Sequence, residues 1–254
     1  MDYLQFMQPI LDSWQQLGGE IKTIACYEGF PVYGLKKTVV QAQGSIIITS
    51  GIHGDEIGSL CGLNDWIQQD FASLQHNLNV YVLPCLNPMG VVKQQRATGS
   101  GVDLNRQFHI DTHPIVQGIR KFLGTERFLL SLDLHEDLEE AKFYLWEIRD
   151  QAKDISRLVV DCMRNHFPIS DAEAPDGILV HEGIIAGDIT SVSQRIAKRL
   201  AGHPFAYFMT QYYTNYSITT EIPGQGDVEQ RKSAQKALLN CVFGLDLVNE
   251  KRGN

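Results

Sequence analysis

The 254-residue chain carries a net charge of −8, has an isoelectric point near 5.4 and is 43% hydrophobic. This composition is typical of a soluble globular protein, and at this length we expect one large domain covering residues 1–254, although two small domains would also fit. The acidic balance argues against a general surface for nucleic acid or anionic membranes, without excluding a local basic pocket.

Buried β-branched or apolar runs predict strands, and apolar residues at near-helical spacing predict helices. The predicted strands cover residues 21–27, 32–40, 45–49, 78–84, 128–134, 142–148 and 217–221, the first two as a hairpin at a sheet edge. The predicted helices lie around residues 4–14, 57–67, 113–124, 155–162 and 191–200 and from 227 onward, with loops over 167–187. This alternation predicts an α/β fold, a three-layer α/β/α domain around a central mixed twisted sheet.

The five cysteines are scattered, odd in number and mostly on apolar stretches, so we predict free, buried thiols and a reducing compartment. The N-terminus lacks a basic segment followed by an apolar core, and no apolar run is long enough to span a bilayer. We therefore expect a cytoplasmic protein without a membrane partner. The sequence leaves its oligomeric state open.

The segment Ser50-Gly51-Ile52-His53-Gly54-Asp55-Glu56 lies where a predicted strand passes into a predicted helix. Open α/β sheets place their ligands outside such strand ends. His53 and Glu56 lie three residues apart across the helix start, so an imidazole and a carboxylate can converge there as zinc ligands. The alternative is a tight turn in which Glu56 only caps the helix.

Other polar groups follow strands in the same way, and each also has a structural interpretation. Arg96, Asn105 and Arg106 lie on nearby loops and would bind a carboxylate, because guanidinium groups bind carboxylates bidentately; either arginine could instead be solvated. His135 follows a core strand and is a candidate third zinc ligand or a structural histidine. Glu221 ends a β-branched run and could be a simple strand-end acid.

The ordered set of motifs resembles the zinc carboxypeptidase superfamily (funnelins), which includes the succinylglutamate desuccinylase/aspartoacylase group. The motifs are His53-x-x-Glu56, Asn87-Pro88-x-Gly90, Arg96, Asp103-x-Asn105-Arg106, Asp133-x-His135 and Glu221. The match extends from about residue 46 to residue 221, and the chain is most similar in style to short bacterial members such as murein tripeptide amidase.

This resemblance implies a role for each matching position. His53, Glu56 and His135 would bind one Zn²⁺, and Asp103 would orient the ring of His53. Arg96 would polarise the scissile carbonyl, while Asn105 and Arg106 would hold the free carboxylate of the substrate. Glu221 would be the general base and then the acid; without the resemblance, Asp103 could be a turn-forming residue.

The implied activity is hydrolysis of an amide bond next to a free carboxylate, by a metallocarboxypeptidase or a peptide-like amidase. The alternatives are an N-acyl amino acid deacylase and, less expected, a non-catalytic binding module. Tyr212, Tyr213 and Tyr216 are candidates for the tyrosine that covers the substrate in this superfamily, or form a packing cluster. His109, His113, Asp55 and Glu136 could support a second metal, which we regard as the minor alternative.

Overall fold

The computed structural model describes residues 2–74, 77–149, 155–171, 178–199, 201–245 and 247, which form one eight-stranded sheet with helices on both faces. The strands are β1 (Glu20–Tyr27), β2 (Phe30–Lys37), β3 (Gly44–Thr49), β4 (Leu78–Leu83), β5 (Leu130–Asp137), β6 (Tyr144–Arg149), β7 (Ile184–Gly187) and β8 (Tyr216–Pro223). The helices are α1 (Tyr3–Gln16), α2 (Ile57–Gln69), α3 (Pro88–Lys93), α4 (Pro114–Leu123), α5 (Ile155–Met163), α6 (Ile189–Arg199), α7 (Phe205–Tyr212) and α8 (Val228–Gly244). Short 3₁₀ turns cover Phe71–Ser73 and Leu104–Arg106.

The strand order is β1-β2-β4-β3-β5-β8-β6-β7. The central strands β4, β3, β5 and β8 are parallel to one another. Antiparallel pairings add β2 and β1 on one side and β6 on the other. The sheet is therefore mixed, and the carboxyl ends of its parallel strands meet along one edge, where ligands bind in open α/β sheets.

Alternate residues of the central strands enter two different cores. Ile46 and Ile48 of β3 pack in the larger core, with residues of α1, α2, α5 and α8, whereas Ile47 packs in a second core with residues of α4 and α7. This division follows from the two-residue period of a strand, and burying each isoleucine contributes about 1.5–3 kcal/mol. The predicted α/β/α layers around a mixed sheet are confirmed.

Local sequence signals explain where several helices begin and end. Asn87 caps α3 through a hydrogen bond to the Gly90 N–H, and Pro88 occupies the first turn, where no N–H partner is needed. His113 caps α4 in the same way, with Pro114 next to it. Gly124 ends α4 with a φ of +58°, in the left-handed region that favours glycine.

The structure corrects some predictions. The hairpin turn is only Glu28–Gly29, both at positive φ, and β2 ends at Lys37, leaving Val40 exposed. The spacing of Leu4, Met7, Leu11 and Trp14 predicts one apolar face on α1. The observed buried face is instead Tyr3, Met7, Ile10 and Trp14, and Leu4 is 52% exposed.

Between residues 167 and 187, where only loops were predicted, β7 forms a strand. Three parts of the predicted elements lie outside the described residues: residues 172–177 of this segment, residue 200 at the end of the predicted helix 191–200, and the chain end from residue 248. Helix α7 was not predicted.

The cysteines are free, but the prediction that they are buried holds only for Cys85, because Cys26 is exposed and the other three are partly buried. In the part of the chain that the structure describes, no helix combines the length and hydrophobicity needed to cross a bilayer.

Candidate metal centre

The turn between β3 and α2 carries His53 and Glu56. It packs against α3 so closely that a Cβ at Gly54 would lie 1.9 Å from the Gly90 carbonyl carbon, which explains the glycine. Asn87 fixes the turn through its side chain, since its Nδ2 donates to the Ile52 carbonyl (3.2 Å) and to the Arg96 carbonyl (3.2 Å). Asn87 thereby holds the histidine turn and the Arg96 loop together.

Glu56 occupies the N-cap position of α2 but makes no capping hydrogen bond with its side chain. Its carboxylate instead lies between two imidazoles, with Oε1 2.5 Å from His53 Nδ1 and Oε2 2.8 Å from His135 Nδ1. The alternative interpretation of Glu56 as a capping acid is therefore wrong.

His53, Glu56 and His135 converge at the carboxyl edge of the sheet. The two Nδ1 atoms are 3.2 Å apart, each residue offers a ligand atom within 4.8 Å of the others, and all three side chains are buried. In the described residues this is the only group of three or more such side chains with converging ligand atoms. Of the four candidates for a second metal, His113 caps α4 and His109 packs against His203. Asp55 and Glu136 line the same cavity as the triad, and Glu136 accepts a hydrogen bond from Arg231.

Each imidazole has a carboxylate behind it. His53 Nε2 lies 3.3 Å from Asp103 Oδ1, and His135 Nε2 lies 3.1 Å from Asp133 Oδ2. A carboxylate only accepts, so each Nε2 carries a proton, and each Nδ1 is left to face Glu56 and to bind a cation. Two imidazole nitrogens and a carboxylate that converge on one buried point fit a divalent cation, and Zn²⁺ prefers this donor set.

The electrostatics of the three residues agree with this fit. Burial raises the pKa of Glu56, but His135 and His53 outweigh burial and hold it below its usual range. Burial lowers the pKa of His135, but Glu56 and Asp133 outweigh it and raise the pKa well above its ordinary value. Without a cation the cluster therefore retains a proton, which a bound metal would displace.

Asp133 belongs to one of the motifs that carry the resemblance, although no role followed from it, and its position has a signal in the sequence. Asp133 and His135 are two residues apart on β5, so their side chains share one face. Asp103, in contrast, reaches His53 from the loop before the 3₁₀ turn. Burial raises the pKa of Asp103, but its interactions with His53 and Arg96 outweigh burial and hold that pKa below its usual range.

Arg96 extends from its loop over the metal ligands. Its Nη1 lies 3.2 Å from His53 Nδ1, its Nε and Nη2 each donate to Asp103 Oδ2 at 3.3 Å, and its side chain is 50% exposed. The loop is fixed by Glu28 of the β1–β2 turn, whose carboxylate accepts from the N–H groups of Gly99 (2.7 Å) and Ser100 (2.8 Å). A half-exposed guanidinium is thus tethered beside the site.

Asn105 and Arg106 lie in the 3₁₀ turn that follows Asp103. Asn105 Oδ1 accepts from the N–H of Phe205 at the start of α7 (2.8 Å), which fixes the amide group. Arg106 Nη1 donates to the Asn105 carbonyl (2.8 Å). Both side chains line the same cavity as the metal ligands.

Glu221 lies on β8 directly beside His135 of β5 and opposite Tyr144 of β6. The pKa of Glu221 is raised to about 8, mainly by burial; Glu56 and Asp137 contribute to the rise, whereas His135 and Arg96 oppose it. Glu221 makes none of the hydrogen bonds to His53 or His135 that Glu56 makes. Glu221 is therefore a carboxylate that lies next to the triad but is not one of its three members.

These groups surround one cavity of about 560 Å³, in the size range of small-molecule sites. Seven of the eight predicted site residues line it: His53, Glu56, Arg96, Asn105, Arg106, His135 and Glu221. Asp103 lies behind His53.

The candidate tyrosines lie elsewhere, because Tyr213 is in the second core, Tyr212 packs on Arg120 and the Tyr216 hydroxyl donates to Glu147. Tyr144 lines the cavity instead, with its hydroxyl donating to Asp137 Oδ2 (2.7 Å).

Comparison with protein families gives a match over residues 42–242 to the succinylglutamate desuccinylase/aspartoacylase catalytic domain. The chain belongs to this family. No curated protein sequence matches the chain. The family and the buried His-Glu-His cluster together identify a metallohydrolase of the superfamily that also contains the zinc carboxypeptidases, with a site suited to a single zinc-like ion.

Solved structures share the fold of this family member. A candidate metallopeptidase from Shewanella denitrificans is 20% identical, with a TM-score of 0.81 over 96% of this chain and 90% of that one. A second from Shewanella amazonensis is 22% identical, with a TM-score of 0.80 over 95% and 92%. Carboxypeptidase A from Helicoverpa armigera is 15% identical, with a TM-score of 0.64 over 92% and 70%. These likenesses establish a carboxypeptidase A-like fold.

Proposed function

We propose that the protein is a zinc-dependent hydrolase that cleaves an amide bond next to a free carboxylate, as a metallocarboxypeptidase or a peptide-like amidase. The observation that carries this proposal is the arrangement around one cavity: a buried triad for the metal, Glu221 beside it, and Asn105 with Arg106 on the same wall. Metal, base and carboxylate receptor are the parts that this reaction requires.

His53, Glu56 and His135 would hold the zinc ion and leave one position open for water, as three protein ligands do in catalytic zinc sites. Bound zinc supplies Lewis acidity, which makes water easier to deprotonate and carbonyls easier to attack. Glu221 accepts the proton of the attacking water and returns it to the leaving amine. The positive charge in the triad favours the ionised form of Glu221, against the burial that raises its pKa.

The two arginines act on different parts of the substrate. Arg96 donates to the carbonyl oxygen on which negative charge develops, and one well-placed donor of this kind contributes about 3–4 kcal/mol. Arg106 and the amide of Asn105 bind the free carboxylate and so set the distance between it and the scissile bond. Tethering by Glu28 keeps the Arg96 loop in place.

A second candidate function is removal of the acyl group from an N-acyl amino acid. The family match favours it, because the matching domain is named for a desuccinylase and an acylase. The same residues would serve, since an N-acyl amino acid also has an amide bond next to a carboxylate.

Zinc-loaded protein should be assayed on peptides with free C-termini, γ-glutamyl-diaminopimelate peptides and N-acyl amino acids. We expect hydrolysis of a peptide class, lost with a chelator and restored by zinc. Cleavage of N-acyl amino acids alone would select the second candidate, and no cleavage of any class would favour a binding module.

The variant Glu221→Gln tests the base directly. It should retain zinc and lose about 10²- to 10⁴-fold in kcat. Glu139→Gln, which changes an exposed acid at the edge of the cavity, is the matched control and should leave kcat unchanged. Unchanged turnover in Glu221→Gln would place the base elsewhere.

A further inference from the structure

One part of the cavity is lined by apolar side chains. We call it the apolar chamber and define it by the lining residues Tyr144, Trp146, Ile148, Ile185, Val192 and Ala206. These side chains belong to two small hydrophobic clusters that are separate from the two main cores. These side chains therefore form a wall of the cavity and are not part of the main hydrophobic cores.

The chamber begins beside the reacting groups. In the antiparallel pairing of β6 with β8, Tyr144 is opposite Glu221 and Trp146 is opposite Thr219, so the wall extends along β6 away from the base. Ile185 of β7 is in register with Trp146 and continues the wall sideways.

The chamber also adjoins the carboxylate receptor. Ala206 directly follows Phe205, whose N–H is bound to Asn105 Oδ1. A substrate whose carboxylate is held at Asn105 and Arg106 therefore places the side chain of that same residue next to Ala206. The chamber is therefore placed to receive the side chain of the substrate residue that carries the free carboxylate.

None of the six described side chains that define the chamber carries a charge that could pair with a charged substrate side chain. Glu147 also lines the cavity, but it is 2% exposed and already paired, with Oε1 2.8 Å from Arg149 Nε and Oε2 accepting from the Tyr216 hydroxyl at 2.7 Å. Placing an ionised side chain against the apolar wall would remove it from water without a partner, which is strongly unfavourable.

We propose that the carboxylate-bearing residue of the substrate has an apolar side chain, such as leucine or phenylalanine, which the apolar chamber holds. This inference rests on the proposed function, because it uses Asn105 and Arg106 as the carboxylate receptor. It selects against acidic side chains, such as the glutamate and aspartate in the family's name, and against lysine. Hydrophobic pockets discriminate between ligands by about 10- to 200-fold.

Binding can be measured without turnover on zinc-loaded Glu221→Gln protein. Isothermal titration calorimetry should compare N-acetyl amino acids and glycyl dipeptides in which the carboxylate-bearing residue is leucine, phenylalanine, aspartate or lysine. We expect the leucine and phenylalanine ligands to bind at least about tenfold more tightly. Equal or tighter binding of the aspartate or lysine ligands, or no measurable binding in either series, would overturn the inference.

Two variants test the chamber itself. Val192→Lys places a cation on its α6 wall at a partly exposed position, so leucine ligands should bind at least about fivefold more weakly and aspartate ligands more tightly. Leu4→Lys makes the same kind of change at an exposed site on α1 and should alter neither affinity.

If Val192→Lys does not fold, Trp146→Ala should lower the affinity for leucine ligands by a similar factor while leaving that for aspartate unchanged. Unaltered selectivity in these variants contradicts the chamber. Selective binding in a wild-type protein that hydrolyses nothing would instead refute the proposed function alone.

Discussion

The two carboxylates behind the imidazoles should differ in their effect on metal affinity. Asp133 is 1% exposed and lies 3.1 Å from His135, whereas Asp103 is 27% exposed, lies 3.3 Å from His53 and shares its other oxygen with Arg96. Carboxylates that orient a ligand histidine are worth 10- to 100-fold in metal affinity, about 1.4–2.7 kcal/mol. A buried pair is screened less than an exposed one.

Asp133→Asn should therefore weaken zinc binding by about 10- to 100-fold, and Asp103→Asn by less than about tenfold. Zinc affinity can be measured by competition with a chromophoric chelator at one fixed pH, because ligand protonation makes the affinity pH-dependent. An Asp133→Asn variant within about threefold of wild type, or a larger loss in Asp103→Asn, would refute the assignment of the two carboxylates.

Asp133→Asn also perturbs a buried strand, so its effect on stability must be measured separately. Asp133 Oδ1 has no hydrogen-bond partner, and an amide N–H there would be a buried unpaired donor that costs about 1–3 kcal/mol. Ser131→Ala is the matched control, because Ser131 lies two residues earlier on the same face of β5 and its hydroxyl has no hydrogen-bond partner. It should change neither zinc affinity nor turnover, while Tm of the zinc-free proteins reports the stability effects.

Arg106→Ala should raise KM by about 10- to 100-fold with a much smaller effect on kcat, since a charge-assisted hydrogen bond contributes about 1.5–3 kcal/mol; steady-state kinetics with an unaltered KM would contradict its role. Glu28→Ala should lower kcat, by up to about 10²-fold, at unchanged zinc affinity, because the Arg96 loop loses its anchor; equal kcat in the two proteins would show that the anchor is dispensable. In zinc-free protein burial lowers the pKa of His135, but Glu56 and Asp133 outweigh burial and raise this pKa well above its ordinary value. The pairing of protonated His135 with these carboxylates therefore stabilises the folded state fully below the unfolded pKa of about 6.5, and this stabilisation is lost as the pH rises through the folded pKa. Tm of chelator-treated protein should thus fall as the pH rises above about 6.5, while the rise in Tm on adding zinc increases; a pH-independent rise would exclude this linkage.

Sequence patterns predicted the elements that carry the site because those elements are strongly patterned. The run 45–49 is short, β-branched and buried, and the glycines after it require a turn, so β3 and the position of His53 followed. Similar runs predicted β5 and β8, although β5 extends to Asp137, so His135 lies inside the strand. That extension places His135 in register with Glu221. Local patterning does not specify such register.

The missed features depend on tertiary contacts. Helix α7 is rich in aromatic residues without a clear polar face, because Phe205 and Phe208 are buried in the second core while Ala206 and Tyr207 pack in a cavity cluster. Strand β7 has only four residues, and its pairing with β6 defines it. Tyr144 reaches the cavity because β6 is antiparallel to β8, and the order of strands in a sheet cannot be read from spacing.

The two histidine ligands are supported by structures of different rigidity. His135 and Asp133 belong to one central strand; Asp133 is paired with both β3 and β8, and His135 is paired with β8, so their geometry is fixed by the sheet. His53 depends on Asp103, which Arg96 also contacts through two hydrogen bonds. When Arg96 moves to donate to a substrate carbonyl, we expect Asp103 to lose those bonds and to interact more strongly with His53 Nε2. Substrate binding would then leave Asp103 as a partner of His53 alone, whereas the contact between Asp133 and His135 would be unaffected.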